Sequence, residues 1–307
     1  MIIIQNKIIK IEIYKLINNL IISLKNAIIF SINKITKDMI MYYKKIITDN
    51  SQEWILFIHG LGGSINTWKK QIEQFAGKYN LLLVDLDGHG KSKPTETNIT
   101  YKPKLAAKQI NYILEKEDIK KVNIISLSLG TLVALEFIYN YAEKVKSNIL
   151  AGCIINLDNK RLALLSFVQH IKSYLPPNVL YNVFAHIVLP KENHKLSRDI
   201  FIRESLKLDK QSFCDWIDSV NTSANKIKNY IKTINKNNIP TLFITGKEDY
   251  MFLDGIKKLK DDINDFKLNI INHCGHVCSI EKANIFNELA MEFLSKHERH
   301  YILLSNS

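Results

Sequence analysis

The chain has 307 residues, enough for one large α/β domain or two ordinary ones, and 46% of them are apolar against 23% charged. That balance excludes a disordered, collagenous or low-complexity protein, and no uncharged apolar run reaches the ~18 residues a membrane-spanning helix needs. The formal net charge is +12, yet only four of the 42 basic residues are arginine: Arg161, Arg198, Arg203 and Arg299. Base-edge and phosphate recognition lean on the bidentate arginine fork, and an excess of lysine, isoleucine and asparagine follows from AT-rich codons, so no nucleic-acid partner is expected. Cys153, Cys214, Cys274 and Cys278 do not make a disulfide framework in a chain this long, which points to a reducing, cytoplasmic setting.

Residues 1–40 form a distinct extension. Leu16, Ile17, Leu20, Ile21, Leu24 and Ile28 recur at helical spacing with Lys15 and Lys25 among them, the pattern of a basic amphipathic helix. Three readings stand: a helix in peripheral contact with a membrane or docked on a partner, a plain packing helix, or a natural start at Met39 or Met41. Lys10, Glu12 and Lys15 interrupt any apolar core a secretory signal would need.

From Met41 a regular alternation begins. The short apolar runs Trp54–Ile58, Leu81–Asp85, Val122–Ser126, Asn148–Ile155, Thr241–Thr245 and Leu268–Asn272 read as buried strands. Helical patterns such as Lys104–Leu114 and Leu129–Tyr141 lie between them, so the spacing predicts a parallel, doubly wound sheet. From Asp158 to Asn238 helical periodicity continues without a strand. The expected organisation is an extension at 1–40, a first core segment at 41–155, a helical cap at 156–238 and a second core segment at 239–307.

The segment Ser126-Leu127-Ser128-Leu129-Gly130 closes a strand and opens a helix, as a nucleophile elbow does. The positions two before and two after the serine must be small so that strand and helix backbones can approach; Ser126 stands where glycine is usual, and it too is small. A helix N-terminus aims amides at the serine and favours an oxyanion there. The alternative is an ordinary serine-capped helix.

Three further segments each follow a strand. His59-Gly60-Leu61-Gly62-Gly63-Ser64 can present the Leu61 amide to a carbonyl oxygen, or can simply cap a helix through Ser64 or Asn66. Asp85-Leu86-Asp87-Gly88-His89-Gly90-Lys91-Ser92 is not a phosphate loop, because Asp85 occupies the position of the first glycine. Lys247-Glu248-Asp249 puts carboxylates beyond one strand end, and His273-Cys274-Gly275-His276 puts histidines beyond the next. Glu248 and Asp254 are neighbouring carboxylates and Asp158 is a possible substitute for Asp249 as the acid, and His273 competes with His276. The run from His273 to Cys278 holds four potential zinc ligands, but no second pair answers them, so no metal is expected.

The order Ser128, Asp249, His276 together with these four motifs resembles the α/β-hydrolase superfamily from about Met41 to Leu294. The departures are Ser126 for glycine and Asp87 where many members carry proline or arginine. The resemblance implies an eight-stranded, mostly parallel sheet with a helical cap after the sixth strand. It further implies Ser128 as nucleophile, His276 as base and Asp249 as its partner, with the Leu61 and Leu129 amides as oxyanion hole and no cofactor. A serine nucleophile leaves esters, thioesters, lactones or carbon–carbon bonds as substrates. The apolar cap positions, Leu165 and Phe184 among them, suit a small-molecule ester with an apolar acyl group. Two alternatives stand: a thioesterase or acyl-carrier esterase whose lysines steer an acidic carrier, and a non-catalytic ligand-binding protein of the same fold.

Overall fold

The computed structural model describes residues 41–95, 102–172 and 174–305. The extension at 1–40, and with it the expected amphipathic helix and membrane contact, lies outside the described residues. Among the described residues no helix is long and apolar enough to cross a membrane.

Seven strands form one sheet: β1 (Tyr43–Ile46), β2 (Trp54–Ile58), β3 (Asn80–Val84), β4 (Val122–Leu127), β5 (Val145–Ala151), β6 (Thr241–Gly246) and β7 (Lys267–Ile271). Their order is β1-β3-β2-β4-β5-β6-β7, with β1 antiparallel to β3 and every other pair parallel. The expected count of eight is therefore corrected to seven among the described residues, and the helical insertion follows the fifth of them. β1 was not anticipated. Its Tyr-Lys-Lys-Ile alternates only weakly, and lysines on an edge strand are what discourages edge-to-edge pairing. β5 starts at Val145 and stops at Ala151, displaced from the expected Asn148–Ile155. Lys146 and Ser147 break the apolar run in sequence, yet Ser147 pairs with Asn123 in the ladder while Lys146 is the extra residue at a register shift, and Gly152, at φ +52°, turns the chain out of the strand.

The central strands are buried on both faces, which is why they read as continuous apolar runs. On one face, Ile55, Phe57, Leu81, Leu83, Ile125 and Ile149 pack with α1 (Lys69–Phe75) and the C-terminal helix Ala283–Ser305. There the Phe57 ring lies 5.1 Å from Trp68 and 6.1 Å from Phe75, close enough for favourable aromatic pairing. Side-chain alternation leaves Leu56, Leu82, Ile124 and Leu150 for the other face, all fully buried. α2 (Lys102–Lys116) and α3 (Leu129–Tyr141) pack against each other, and α3 packs on β2, β4 and β5.

Between β5 and β6 lie α4 (Asn159–Ile171), α5 (Pro177–Val188), α6 (Lys195–Ser205), α7 (Lys210–Ala224) and α8 (Ile227–Lys236). Asp158 and Asp209 cap α4 and α7 by accepting from the Arg161 and Ser212 amides at 2.9 Å, and Pro177 opens α5 where its missing N–H costs nothing. Aromatic pairs join these helices: Tyr181 with Phe213 at 4.5 Å and Phe184 with Phe201 at 5.7 Å. Polar ties seat the insertion on the core. Trp216 donates its indole N–H to the Asp87 carbonyl at 3.0 Å. Buried Glu136 on α3 accepts from Tyr230 at 2.5 Å and Lys226 at 3.0 Å.

The chain moves from β2 outward to β3, then crosses back to β4 on the other side of β2. This reversal opens a crevice beyond the carboxyl ends of β2 and β4, the place where open α/β sheets bind ligands.

Candidate active site

Ser128 stands at the carboxyl end of β4 as the N-cap of α3, with φ 51° and ψ −119°. That backbone is rare for a residue with a Cβ and costs on the order of 1–3 kcal/mol. The surroundings hold it in place. The Ser128 amide donates to the Ala151 carbonyl at 2.8 Å, and its own carbonyl accepts from the Thr131 amide and hydroxyl at 2.8 and 2.5 Å. Gly130 is required, since a Cβ there would sit 2.5 Å from the carbonyl oxygens of Ile58 and His59. Ser126 is accommodated without a glycine because its hydroxyl turns into the sheet and bonds the Ile149 carbonyl at 3.3 Å.

His276 faces Ser128 from the loop after β7. Its Nε2 lies 2.7 Å from the Ser128 hydroxyl and its Nδ1 lies 2.9 Å from Asp249 Oδ2, in the loop after β6. A carboxylate only accepts, so Nδ1 carries the proton and Nε2 is free to accept from the serine. Asp249 is completely buried and takes two further hydrogen bonds, from the Thr245 hydroxyl at 2.9 Å and the Phe252 amide at 3.2 Å. Gly152 gives the imidazole room: a Cβ there would lie 3.0 Å from its Nδ1 and Cε1.

Opposite, the Gly60–Gly63 loop passes so close to the elbow that a Cβ on Gly60 would stand 3.2 Å from Ser128 Cβ. Among the described residues neither the Leu61 nor the Leu129 amide has a hydrogen-bond acceptor. Two buried histidines hold this loop. His59 Nδ1–H donates to the Gly60 carbonyl at 2.8 Å while its Nε2 accepts from the Leu86 amide at 3.0 Å. His89 Nε2 accepts from the Gly62 amide at 3.0 Å while its Nδ1–H donates to the Asp87 carbonyl at 3.1 Å. Burial lowers His59 to about 4 and His89 to about 3, so both are neutral near pH 7.

A narrow cleft, partly open to solvent, joins these elements. Leu165, Phe184, Val188, Phe201 and Ile217 of the insertion and Ile154 and Phe252 of the core line it. No lysine or arginine is among the described residues lining it, and Glu204, its carboxylate, pairs with Arg203 at 3.1 Å and Lys207 at 2.6 Å.

The competing residues lie elsewhere. Asp158 caps α4 and pairs with Arg161, which also binds exposed Asp254, and His273 is exposed. Among the described residues no group of three or more His, Cys, Asp or Glu is placed to hold a metal; Cys274 and Cys278 are buried thiols that burial pushes well up. Three contributors were missed from sequence: Thr245, Glu281 and His194. Glu281 accepts from the amides on either side of His276, Gly275 at 2.7 Å and Val277 at 3.1 Å. His194 meets Glu248 across 54 residues, a distance only the fold closes, whereas Thr245 and Glu281 act within six residues of their partners through turn geometry that residue type alone does not mark.

Residues 53–283 match the family model described as the alpha/beta hydrolase fold. The chain is 24% identical over 273 residues to the 2-hydroxy-6-oxononadienedioate/2-hydroxy-6-oxononatrienedioate hydrolase of Cupriavidus pinatubonensis, covering 80% of this chain and 88% of that one. It superposes on a carboxylesterase structure from the thaumarchaeon Nitrososphaera gargenis with a TM-score of 0.73 at 20% identity, over 85% and 96% of the two chains. The enol-lactonase of Burkholderia xenovorans LB400 gives 0.70 at 17% identity, over 83% and 96%. With three quarters of its length matched by that model, the chain belongs to the α/β-hydrolase fold family.

Proposed function

We propose that this protein is a serine hydrolase that cleaves a carboxylic ester of an apolar acyl group through an acyl-enzyme. The observation carrying this reading is the hydrogen-bonded series Asp249–His276–Ser128, which ends opposite two amides without acceptors. In the reaction His276 Nε2 takes the Ser128 proton as the oxygen attacks the acyl carbon. The Leu61 and Leu129 amides receive the negative charge that develops on the carbonyl oxygen. Asp249 keeps the imidazole in the Nδ1–H tautomer and stabilises the imidazolium, which then protonates the departing alcohol. Water, activated by the same histidine, releases the acid. A thioester would follow the same steps, and an acidic acyl carrier would meet a lysine-rich surface.

The lining of the cleft favours a neutral substrate. The dienedioate in the name of the Cupriavidus relative carries two carboxylates, and burying those in an apolar cleft without cationic partners is costly. The Ser197 hydroxyl of α6, buried on the cleft wall with no hydrogen-bond partner among the described residues, suits one polar atom on an otherwise apolar ligand.

A direct comparison of substrates tests this. p-Nitrophenyl esters from acetate to dodecanoate and 2-hydroxy-6-oxononadienedioate are offered at equal concentration. Turnover of the medium-chain esters at least tenfold above the dienedioate is expected. Preference for the dienedioate would replace ester cleavage with carbon–carbon hydrolysis.

A further inference from the structure

The insertion reaches the catalytic loops from behind. His194, in the short turn before α6, is fully buried, and its ring lies against the loops after β6 and β7 of the core. Its Nδ1 accepts from the Lys191 amide at 3.4 Å, which leaves the proton on Nε2 to be donated to Glu248 Oε2 at 3.0 Å. Glu248 is the neighbour of Asp249. The same Nε2 lies 4.0 Å from Glu281 Oε2, the oxygen that accepts from the Gly275 amide, and Gly275 is the neighbour of His276. A Cβ on Gly275 would lie 2.7–2.9 Å from three atoms of the His194 ring, so the backbone beside His276 rests directly on this imidazole. Asn193 at 2.8 Å and Lys191 at 3.1 Å also bind Glu248, and those contacts with His194 hold its carboxyl down to about 2.

The other end of α6 meets the opposite loop. Phe201 and Ser205 are what a side chain on Gly62 would strike. The helix thus spans from the loop of His276 to the loop of Leu61, while Ser197, Phe201 and Glu204 between its ends line the cleft.

We propose that His194 is a positioning residue: it ties the insertion to the Asp249 and His276 loops and holds them at the spacing the proton relay needs, so that activity depends on the insertion being seated. The inference rests on the serine-hydrolase reading for its kinetic consequence but not for its structural one. Misplacing a catalytic group by about 1 Å costs on the order of 10²-fold in rate, whereas substrate contacts in the cleft are made by other residues. His194→Ala should therefore lower kcat on a p-nitrophenyl ester by about 10- to 100-fold while KM stays within about twofold. His194→Gln, whose side-chain amide can still donate to Glu248, should recover most of that loss. Glu248→Ala removes the same bond from a partly exposed position without hollowing the interior, and it should reproduce the kcat loss if His194→Ala fails to fold.

The structural consequence is read by hydrogen exchange over residues 272–281, in protein melting near the wild-type temperature. Faster exchange in this segment for His194→Ala and Glu248→Ala, but not for His194→Gln, is expected. Unchanged exchange overturns the inference whether or not the wild type turns over any ester. Equal kcat loss in Ala and Gln variants, or a loss seen only in KM, also overturns it. Failure of the wild type to hydrolyse any ester while the exchange pattern holds would contradict the serine-hydrolase reading alone.

Discussion

The two loops that face Ser128 are held by opposite kinds of chemistry. The Gly60–Gly63 loop, where negative charge would develop, is pinned by the neutral imidazoles of His59 and His89. Asp85, a carboxylate of the same region, turns its oxygens to the Ile65 and Lys91 amides at 2.7 and 2.8 Å. The Gly275–Val277 loop, where His276 would become a cation, is surrounded by carboxylates: Asp249 on its ring, Glu281 on both flanking amides and Glu248 beside them through His194. Carboxylates beside His276 would favour an imidazolium there, while neutral imidazoles around the Gly60–Gly63 loop add no negative charge against an oxyanion.

The contrast is broken most severely on the cationic side. Asp249→Asn keeps the shape but removes the charge and reverses the preferred tautomer. kcat on a p-nitrophenyl ester should fall about 10³- to 10⁴-fold, read from steady-state kinetics; near wild-type turnover would remove Asp249 from the relay. On the anionic side Gly62→Ala is the sharper probe, because Gly62 has φ +66° and its Cβ would collide with Ser205. Displacing the Leu61 amide should lower kcat about 10²-fold with a smaller change in KM. A loss as large as that of Asp249→Asn would mean the two sides are not separable.

The buried histidines also leave a signature in stability. His59 and His89 stay neutral when folded, at about 4 and about 3, but titrate near 6.5 when unfolded. Their contribution is complete above pH 6.5. As pH falls from there toward 4, the unfolded chain binds one more proton at each site, and stability drops by up to about 1.4 kcal/mol per pH unit for each histidine. Urea midpoints should therefore decline steadily from pH 7 to pH 4.5, and His89→Gln should decline less steeply. The smallest effect belongs to Ser126→Gly. The Ser126 hydroxyl has only one long bond to lose, so the unfolding free energy should change by less than about 1 kcal/mol and kcat should stay within twofold.

Much of this geometry was legible in the sequence because the residues proposed to react sit at strand ends, where a local motif marks them: the small-residue frame of Ser128, the glycines after Ile58, Asp249 after β6 and His276 after β7. β2 and α3 were read to the residue for the same reason, since a buried parallel strand and the helix that follows an elbow both have sharp chemical limits. β1 was not legible, being short, lysine-bearing and recruited by β3 across the intervening chain. His194 and Glu281 were silent for a different reason. His194 finds its partners only once the insertion folds back on the β6 and β7 loops, Glu281 finds its amides only once the turn from Gly275 to Glu281 forms, and a lone histidine or glutamate on a helical stretch carries no mark of either.

An activated Ser128 is read most directly by intact-mass spectrometry after exposure to a fluorophosphonate. One adduct on the wild type and none on Ser128→Ala is the predicted result. An unlabelled wild type, with the protein folded and the cleft open to smaller phosphonates that also fail to react, would contradict the relay and leave a ligand-binding protein of the same fold.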